Sequence, residues 1–196
     1  MYTVVGTPKN RSLRVLWMLE ELRQPYTLSH AHARSDEVKA HNPTGKVPVL
    51  LDGDATLTDS TAIMTYLGDK HSGLTHPAGT PDRARQDGHT QFVLDEMDAI
   101  LWTAARHTFV LPEEHRVPEV KDSLKWEFQH SLDRLDTRLG GGPFLMGAQM
   151  TVPDILATHC LRWARNARFP EPSENLRAYF DRLTDRAAFQ RASKVG

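Results

Sequence analysis

The sequence predicts an α/β domain with a mixed four-stranded sheet, followed by an all-α helical bundle. Three observations carry this. Strand and helix signals alternate through the first third of the chain. Glycine and proline then cluster at Gly73, Pro77, Gly79 and Pro81. Beyond Asp82 no segment reads as a strand. The expected boundaries are residues 1–75 for the first domain and 82–196 for the second, with 71–81 as linker.

Each element follows from local pattern. Tyr2 to Val5 is β-rich and stops at the breakers Gly6-Thr7-Pro8. Ser12 to Leu22 carries a helical stripe (Leu13, Leu16, Trp17 and Val15, Leu19, Leu22), with Ser12 as N-cap or first-turn residue. After Gln24-Pro25 the chain resumes as a short strand to Leu28, closing a βαβ unit. Ser35 to Lys39 makes another helical turn, ended by Asn42-Pro43. Val47 to Leu51 reads as a strand, and Asp52-Gly53-Asp54 is a hairpin turn into Thr56-Leu57-Thr58. Ser60 to Leu67 returns to helix with Ile63, Met64 and Leu67 inward. The order is β-α-β-α-β-β-α. In the second domain, helices are expected over Pro81–Thr108, Val117–Leu139, Val152–Arg168 and Glu174–Lys194.

Composition narrows the function classes. Of 196 residues, 39% are hydrophobic and 25% charged, which fits a globular protein and not a disordered one. A formal net charge of −1 provides no global field toward nucleic acid or an anionic membrane. No apolar run is long enough to span a bilayer. Met1 leads directly into a strand and not into an apolar leader. Cys160 is the one cysteine, so no internal disulfide exists and a reducing, cytoplasmic location is expected. For the same reason no Cys-x-x-Cys is available for redox chemistry by the protein itself.

Three segments point to a ligand site. A proline entering a strand at Val47-Pro48 gives up a ladder donor. It is either an ordinary edge-strand proline or a cis bond that turns the Val47 backbone toward an extended peptide ligand. Asp59-Ser60 opens a helix, where free N–H groups and the dipole favour a carboxylate. Ser60 would donate to that carboxylate and Asp59 would pair with an ammonium, a grip for an α-amino-acid end. Simple N-capping uses the same residue types. The third segment is the loop Thr7-Pro8-Lys9-Asn10-Arg11-Ser12. A thiol held there, at a helix N-terminus beside Lys9 and Arg11, would be acidified. Lowering a thiol pKa of about 8.5 by ~2 units takes about 2.7 kcal/mol, within reach of a helix N-terminus plus one donor.

Taken together, these motifs resemble the cytosolic glutathione S-transferase family. The resemblance rests on Ser12-Leu13-Arg14-Val15-Leu16-Trp17 with Leu19-Glu20-Glu21-Leu22, on Asn42 through Leu50, and on Leu57 through Ile63. It continues with Met150-Thr151-Val152-Pro153-Asp154-Ile155 and so covers essentially the whole chain. It implies a thioredoxin-like first domain and glutathione as co-substrate. Val47 would pair with the cysteinyl backbone, Pro48 would be cis, and Asp59 and Ser60 would hold the γ-glutamyl end. Lys46 would lie near the glycyl carboxylate. Thr151 and Asp154 would form a structural capping pair. Family members usually place Tyr, Ser or Cys before the first helix to act on the sulfur, and this chain has no Tyr or Cys there. Counting back from Arg14-Val15, that position falls at Lys9 or Asn10. Asn10 is the first candidate, because its amide can donate to a thiolate, and Ser12 the second. The implied function is conjugation of glutathione to a hydrophobic electrophile by a cytoplasmic homodimer, in detoxification. The alternatives are a non-catalytic glutathione-binding or regulatory protein, and glutathione chemistry such as peroxide reduction or dehalogenation.

The remaining residues have blander readings. None of the ten histidines pairs at a ligand spacing, so no metal is expected. His159-Cys160 is expected to be core packing. Trp102, Trp126 and Trp163 are expected to pack in the helical domain.

Overall fold

The structure, a computed structural model, describes residues 1–195. The chain begins β1 (Tyr2–Gly6), α1 (Ser12–Glu21), β2 (Tyr26–His30), α2 (Asp36–His41), β3 (Val49–Asp52), β4 (Ala55–Thr58) and α3 (Ser60–His71). The strands form one sheet in the order β2-β1-β3-β4. β1 and β2 run parallel, as a βαβ crossover demands, and the other two pairings are antiparallel. Gly53 takes a φ of 58° in the turn that joins β3 to β4. One expectation shifts: β3 starts at Val49, so Val47 and Pro48 precede the ladder instead of opening it. A proline that donates nothing is excluded from a strand paired on both sides.

By contacts the chain divides into two compact units, Met1–Arg83 joined by the segment from Leu183 on, and Ala84–Arg182. In the first unit, Val4, Val5, Leu16, Trp17, Val49, Leu50, Ile63 and Leu67 are each at most 1% exposed. α1 is buried continuously from Ser12 to Leu19, because α9 (Ala187–Lys194) covers the side that a surface helix would show to water. Phe189 meets Trp17 edge-on with ring centroids 4.9 Å apart. Arg186 donates through Nε and Nη2 to the two Glu21 oxygens at 2.6 and 2.7 Å. Arg191 Nε donates to Glu20 at 2.6 Å. These contacts explain a correction. The single helix expected over Glu174–Lys194 is two, α8 (Glu174–Thr184) and α9, with Arg186 extended between them at φ −60°, ψ 133°. Leaving the helix frees Arg186 to reach Glu21 with both arms.

Glu21 also accepts from Trp17 Nε1 at 2.9 Å. Glu21→Ala therefore removes a two-pronged ion pair and an indole acceptor together. Its expected cost is about 2 kcal/mol in urea unfolding. Arg191 is 56% exposed, and Arg191→Ala is expected to cost under about 1 kcal/mol.

The second unit contains most of α4 (Pro81–Val93), then α5 (Ala99–Ala105), α6 (Val120–Leu139), α7 (Val152–Asn166) and most of α8. The helix expected from Pro81 to Thr108 is continuous, but it widens into π-helical turns at Leu94–Asp98 and Arg106–Val110. Its buried pairs give the reason for the first: Phe92-Val93 is followed by Met97-Asp98, a step of five residues that an α-helix does not make. α6 begins three residues later than expected, after a short 3₁₀ turn at Glu113–His115. Val93, Met97, Phe128, Leu135, Ile155, Leu156 and Tyr179 form a fully buried core. Trp126 is not part of it. It is 67% exposed, on the side of α6 opposite Leu124, Phe128 and Leu135, and stacks edge-on with His130. Trp102 and Trp163 are half-buried. Among the described residues no helix is long and apolar enough to cross a membrane.

Candidate functional site

Sheet register brings the three sequence segments to one end of the sheet. Val5 pairs with Val49, so the next residues outward, Gly6 and Thr7, run beside Pro48 and Val47. Val49 also pairs with Thr58, so Val47 and Ser60 leave the β3–β4 ladder at the same end. A Cβ built on Gly6 would lie 3.6 Å from Val47 Cβ, which ties the first loop directly to Val47. The Val47-Pro48 peptide is cis.

The loop before Val47 is braced from behind. Asn42, 8% exposed, donates to the Lys46 carbonyl at 2.9 Å and accepts from Thr44 N and Oγ1 at 3.2 and 2.8 Å. Gly45 has a φ of 69°, and a Cβ there would come within 3.0 Å of Arg34 Cα. Glycine is therefore required at this position. Lys46 itself is exposed.

Asp59 and Ser60 form the mouth of α3. Asp59 sits at φ 70°, and its Oδ1 accepts from Thr61 N and Ala62 N at 2.9 and 3.0 Å. It caps the helix, so one carboxylate oxygen is committed to the backbone. Ser60 is 3% exposed and accepts from Arg14 Nη1 at 3.3 Å. A hydroxyl that accepts from a guanidinium keeps its own proton for an anion beyond it.

Asn10 and Ser12 are arranged differently. Asn10 Oδ1 accepts from Ser12 N at 2.9 Å, and its Nδ2 donates to Thr7 Oγ1 at 3.1 Å. Asn10 therefore braces the turn that leads into α1, while Arg11 holds the N-cap position and Ser12 opens the helix. Ser12 is fully buried, and its Oγ would lie 2.0 Å from a Cβ on Gly6, so its hydroxyl faces that glycine. Lys9 is exposed and Arg11 half-buried beside it.

Comparison with known proteins then fixes the family. The model described as glutathione S-transferase, N-terminal domain, matches residues 10–70, and the corresponding C-terminal domain model matches residues 119–182. The chain belongs to the glutathione S-transferase family. Human glutathione S-transferase theta-2B is 32% identical over 146 residues, 70% of this chain but 58% of that protein. The match thus spans little more than half the length of that relative. A theta-class glutathione S-transferase from Xanthomonas axonopodis pv. citri, solved with glutathione bound, superposes with a TM-score of 0.80 at 25% identity, covering 100% of this chain and 98% of that one. A glutathione transferase from Methylococcus capsulatus str. Bath gives a TM-score of 0.84 at 26% identity over 99% and 98% of the chains. The first domain is thioredoxin-like and the remainder helical, the architecture of the glutathione S-transferase family.

Two residues that support the candidate site lie inside the quoted motifs without a role read from them there. Arg14 is 1% exposed and reaches Ser60 from α1; its signal is a charge inside an otherwise apolar Leu13–Leu19 run. Asn42 braces Lys46, and its signal is only the Asn-Pro-Thr-Gly turn. In the helical part, Asp154 is completely buried at the start of α7 and gathers four donors. Thr151 N and Oγ1 reach its Oδ2 at 2.8 and 3.2 Å, and Leu145 N and Tyr179 Oη reach its Oδ1, both at 2.9 Å. Burial pushes the Asp154 carboxyl above the ordinary carboxylate range in spite of these donors.

Proposed function

We propose that this chain binds glutathione at the sheet end shared by Val47, Pro48, Asp59 and Ser60, ionises its thiol, and joins it to a hydrophobic electrophile. The observation carrying this reading is that Val47 lies outside the ladder, beside a cis proline, at the same end of the sheet as Ser60 at the mouth of α3. An extended tripeptide would pair its cysteinyl backbone with Val47. Its γ-glutamyl carboxylate would meet Ser60 and the α3 N-terminus, its ammonium Asp59, and its glycyl carboxylate Lys46. Residues 1–75 serve as the glutathione domain in this reading and 82–196 as the helical domain.

The sulfur would lie at the N-terminus of α1, where the dipole and the second Asn10 N–H favour thiolate, with Lys9 and Arg11 adding positive potential. Ser12 would support the turn from inside. Catalysis would then rest on thiolate stabilisation and on holding two reactants together. Family membership also supports a cytoplasmic homodimer acting in detoxification.

Retention on immobilised glutathione, followed by conjugation of a generic aryl halide, tests the proposal. Both are expected. No retention overturns the glutathione reading, and retention without turnover replaces the transferase by a binding or regulatory protein. Turnover only with peroxide or a halogenated aromatic to be reduced would move the chemistry to peroxide reduction or dehalogenation. Asn10→Asp is the sharper test of the sulfur, because it keeps the oxygen that caps Ser12 N and exchanges a donor for an anion. The bound thiol pKa is expected to rise by about one unit and kcat/KM at neutral pH to fall about tenfold. An unchanged pH profile removes Asn10 from the site.

A further inference from the structure

A second cluster lies wholly within Ala84–Arg182. Asp98, His159 and Cys160 each bring one potential ligand atom to within 4.8 Å of the others. Asp98 is the last residue of the first π-helical turn, and α7 contributes the other two. Cys160 is fully buried, Asp98 is 8% exposed, and His159 is half-buried with its ring edge-on to Trp163. The Cys160 thiol points at Asp98 Oδ2, 3.9 Å from Sγ.

We propose that Asp98, His159 and Cys160 form a three-ligand site for a thiophilic divalent cation of the zinc class, with water in the fourth position. Thiolate, imidazole and carboxylate together are the donor set that zinc takes with tetrahedral geometry. Metal–ligand bonds of about 2.0–2.3 Å put neighbouring ligand atoms roughly 3.3–3.8 Å apart. The observed sulfur–oxygen separation of 3.9 Å needs only a small contraction. Charge balances as well. A carboxylate and a thiolate carry two negative charges that one divalent cation neutralises. On binding, the Cys160 proton leaves to solvent and sulfur takes the metal in its place. The less buried His159 marks the side from which water and the ion approach.

No sequence spacing announces this site, because Cys160 and Asp98 stand 62 positions apart. The widened turn makes the difference: stepping five residues from Val93, it carries Asp98 to the buried face beside Met97. The site is independent of the glutathione reading.

Cobalt(II) added to the reduced full chain is the test. The expected result is a sulfur-to-cobalt charge-transfer band that saturates at one equivalent, with strong visible bands of a tetrahedral ion. Cys160→Ser should abolish the charge-transfer band, and His159→Gln and Asp98→Asn should each weaken binding at least tenfold. Should a variant fail to fold, the wild-type chain still decides: zinc should slow alkylation of Cys160 at least tenfold. No saturable band and no protection overturn the proposal. A band unaffected by both His159→Gln and Asp98→Asn also overturns it, since the thiol would then bind alone.

Discussion

Asp154→Ala is expected to destabilise the protein by about 3–5 kcal/mol. The carboxylate is completely buried and receives Leu145 N–H, both Thr151 donors and the Tyr179 hydroxyl. Alanine takes this acceptor away from all four and opens a cavity at the start of α7. Asparagine does not rescue it, because its NH₂ must face either the Thr151 pair or the Leu145–Tyr179 pair. Asp154→Asn is therefore expected to cost more than about 2 kcal/mol. The pH dependence has a definite sign. Burial raises the native pKa above the ordinary value of 3.8, so the folded protein holds this proton more tightly than the unfolded chain. Between those two values, stability contributed by Asp154 falls as pH rises, and above the native value it is constant. Urea unfolding of wild type and Asp154→Ala across this range should give a stability gap that narrows with rising pH and then levels. A gap that widens with pH contradicts burial as the dominant cause.

Arg14→Met is the second, and its effect falls on binding. Methionine fills the volume of a residue that is 1% exposed but removes the guanidinium that donates to Ser60. Within the glutathione reading, Ser60 then loses the partner that orients its proton outward, and the α3 mouth loses a buried positive charge. Glutathione affinity is expected to fall by about 10- to 100-fold, or roughly 1.4–2.7 kcal/mol. Arg14→Lys should recover part of it. A merely structural role is separated by a glutathione analogue lacking the γ-glutamyl α-carboxylate. Calorimetry should show wild type strongly preferring glutathione and Arg14→Met barely discriminating. Equal discrimination by both removes Arg14 from the site. No glutathione binding by the wild type instead removes the site itself.

The first unit was legible in the sequence because its rules are local. Gly53 at a turn, Asn42-Pro43 after a helix and alternating apolar strands each dictate their own neighbourhood. The register that unites Val47, Ser60 and Thr7 then follows from strand order. What escaped depends on distant partners. Nothing near Arg186 says that the helix must break, because the cause is Glu21 on another element. Trp126 reads as core by residue type and is solvent-facing by helical phase. Asn10 reads as a sulfur ligand by position, while its polar atoms are bonded to Ser12 and Thr7. Both uses fit one amide, and only the hydrogen bonds reveal the first.

The clasp of α9 on α1 has a consequence for how the protein is made. During synthesis α1 emerges early, yet the helix that covers Trp17 and pairs with Glu20 and Glu21 is encoded some 165 residues later. Until the ribosome has delivered Arg186 and Phe189, the nascent sheet and its first helix carry an uncovered apolar flank. The order of translation thus runs against the order of assembly: α1 waits for a cover that is made some 165 residues after it.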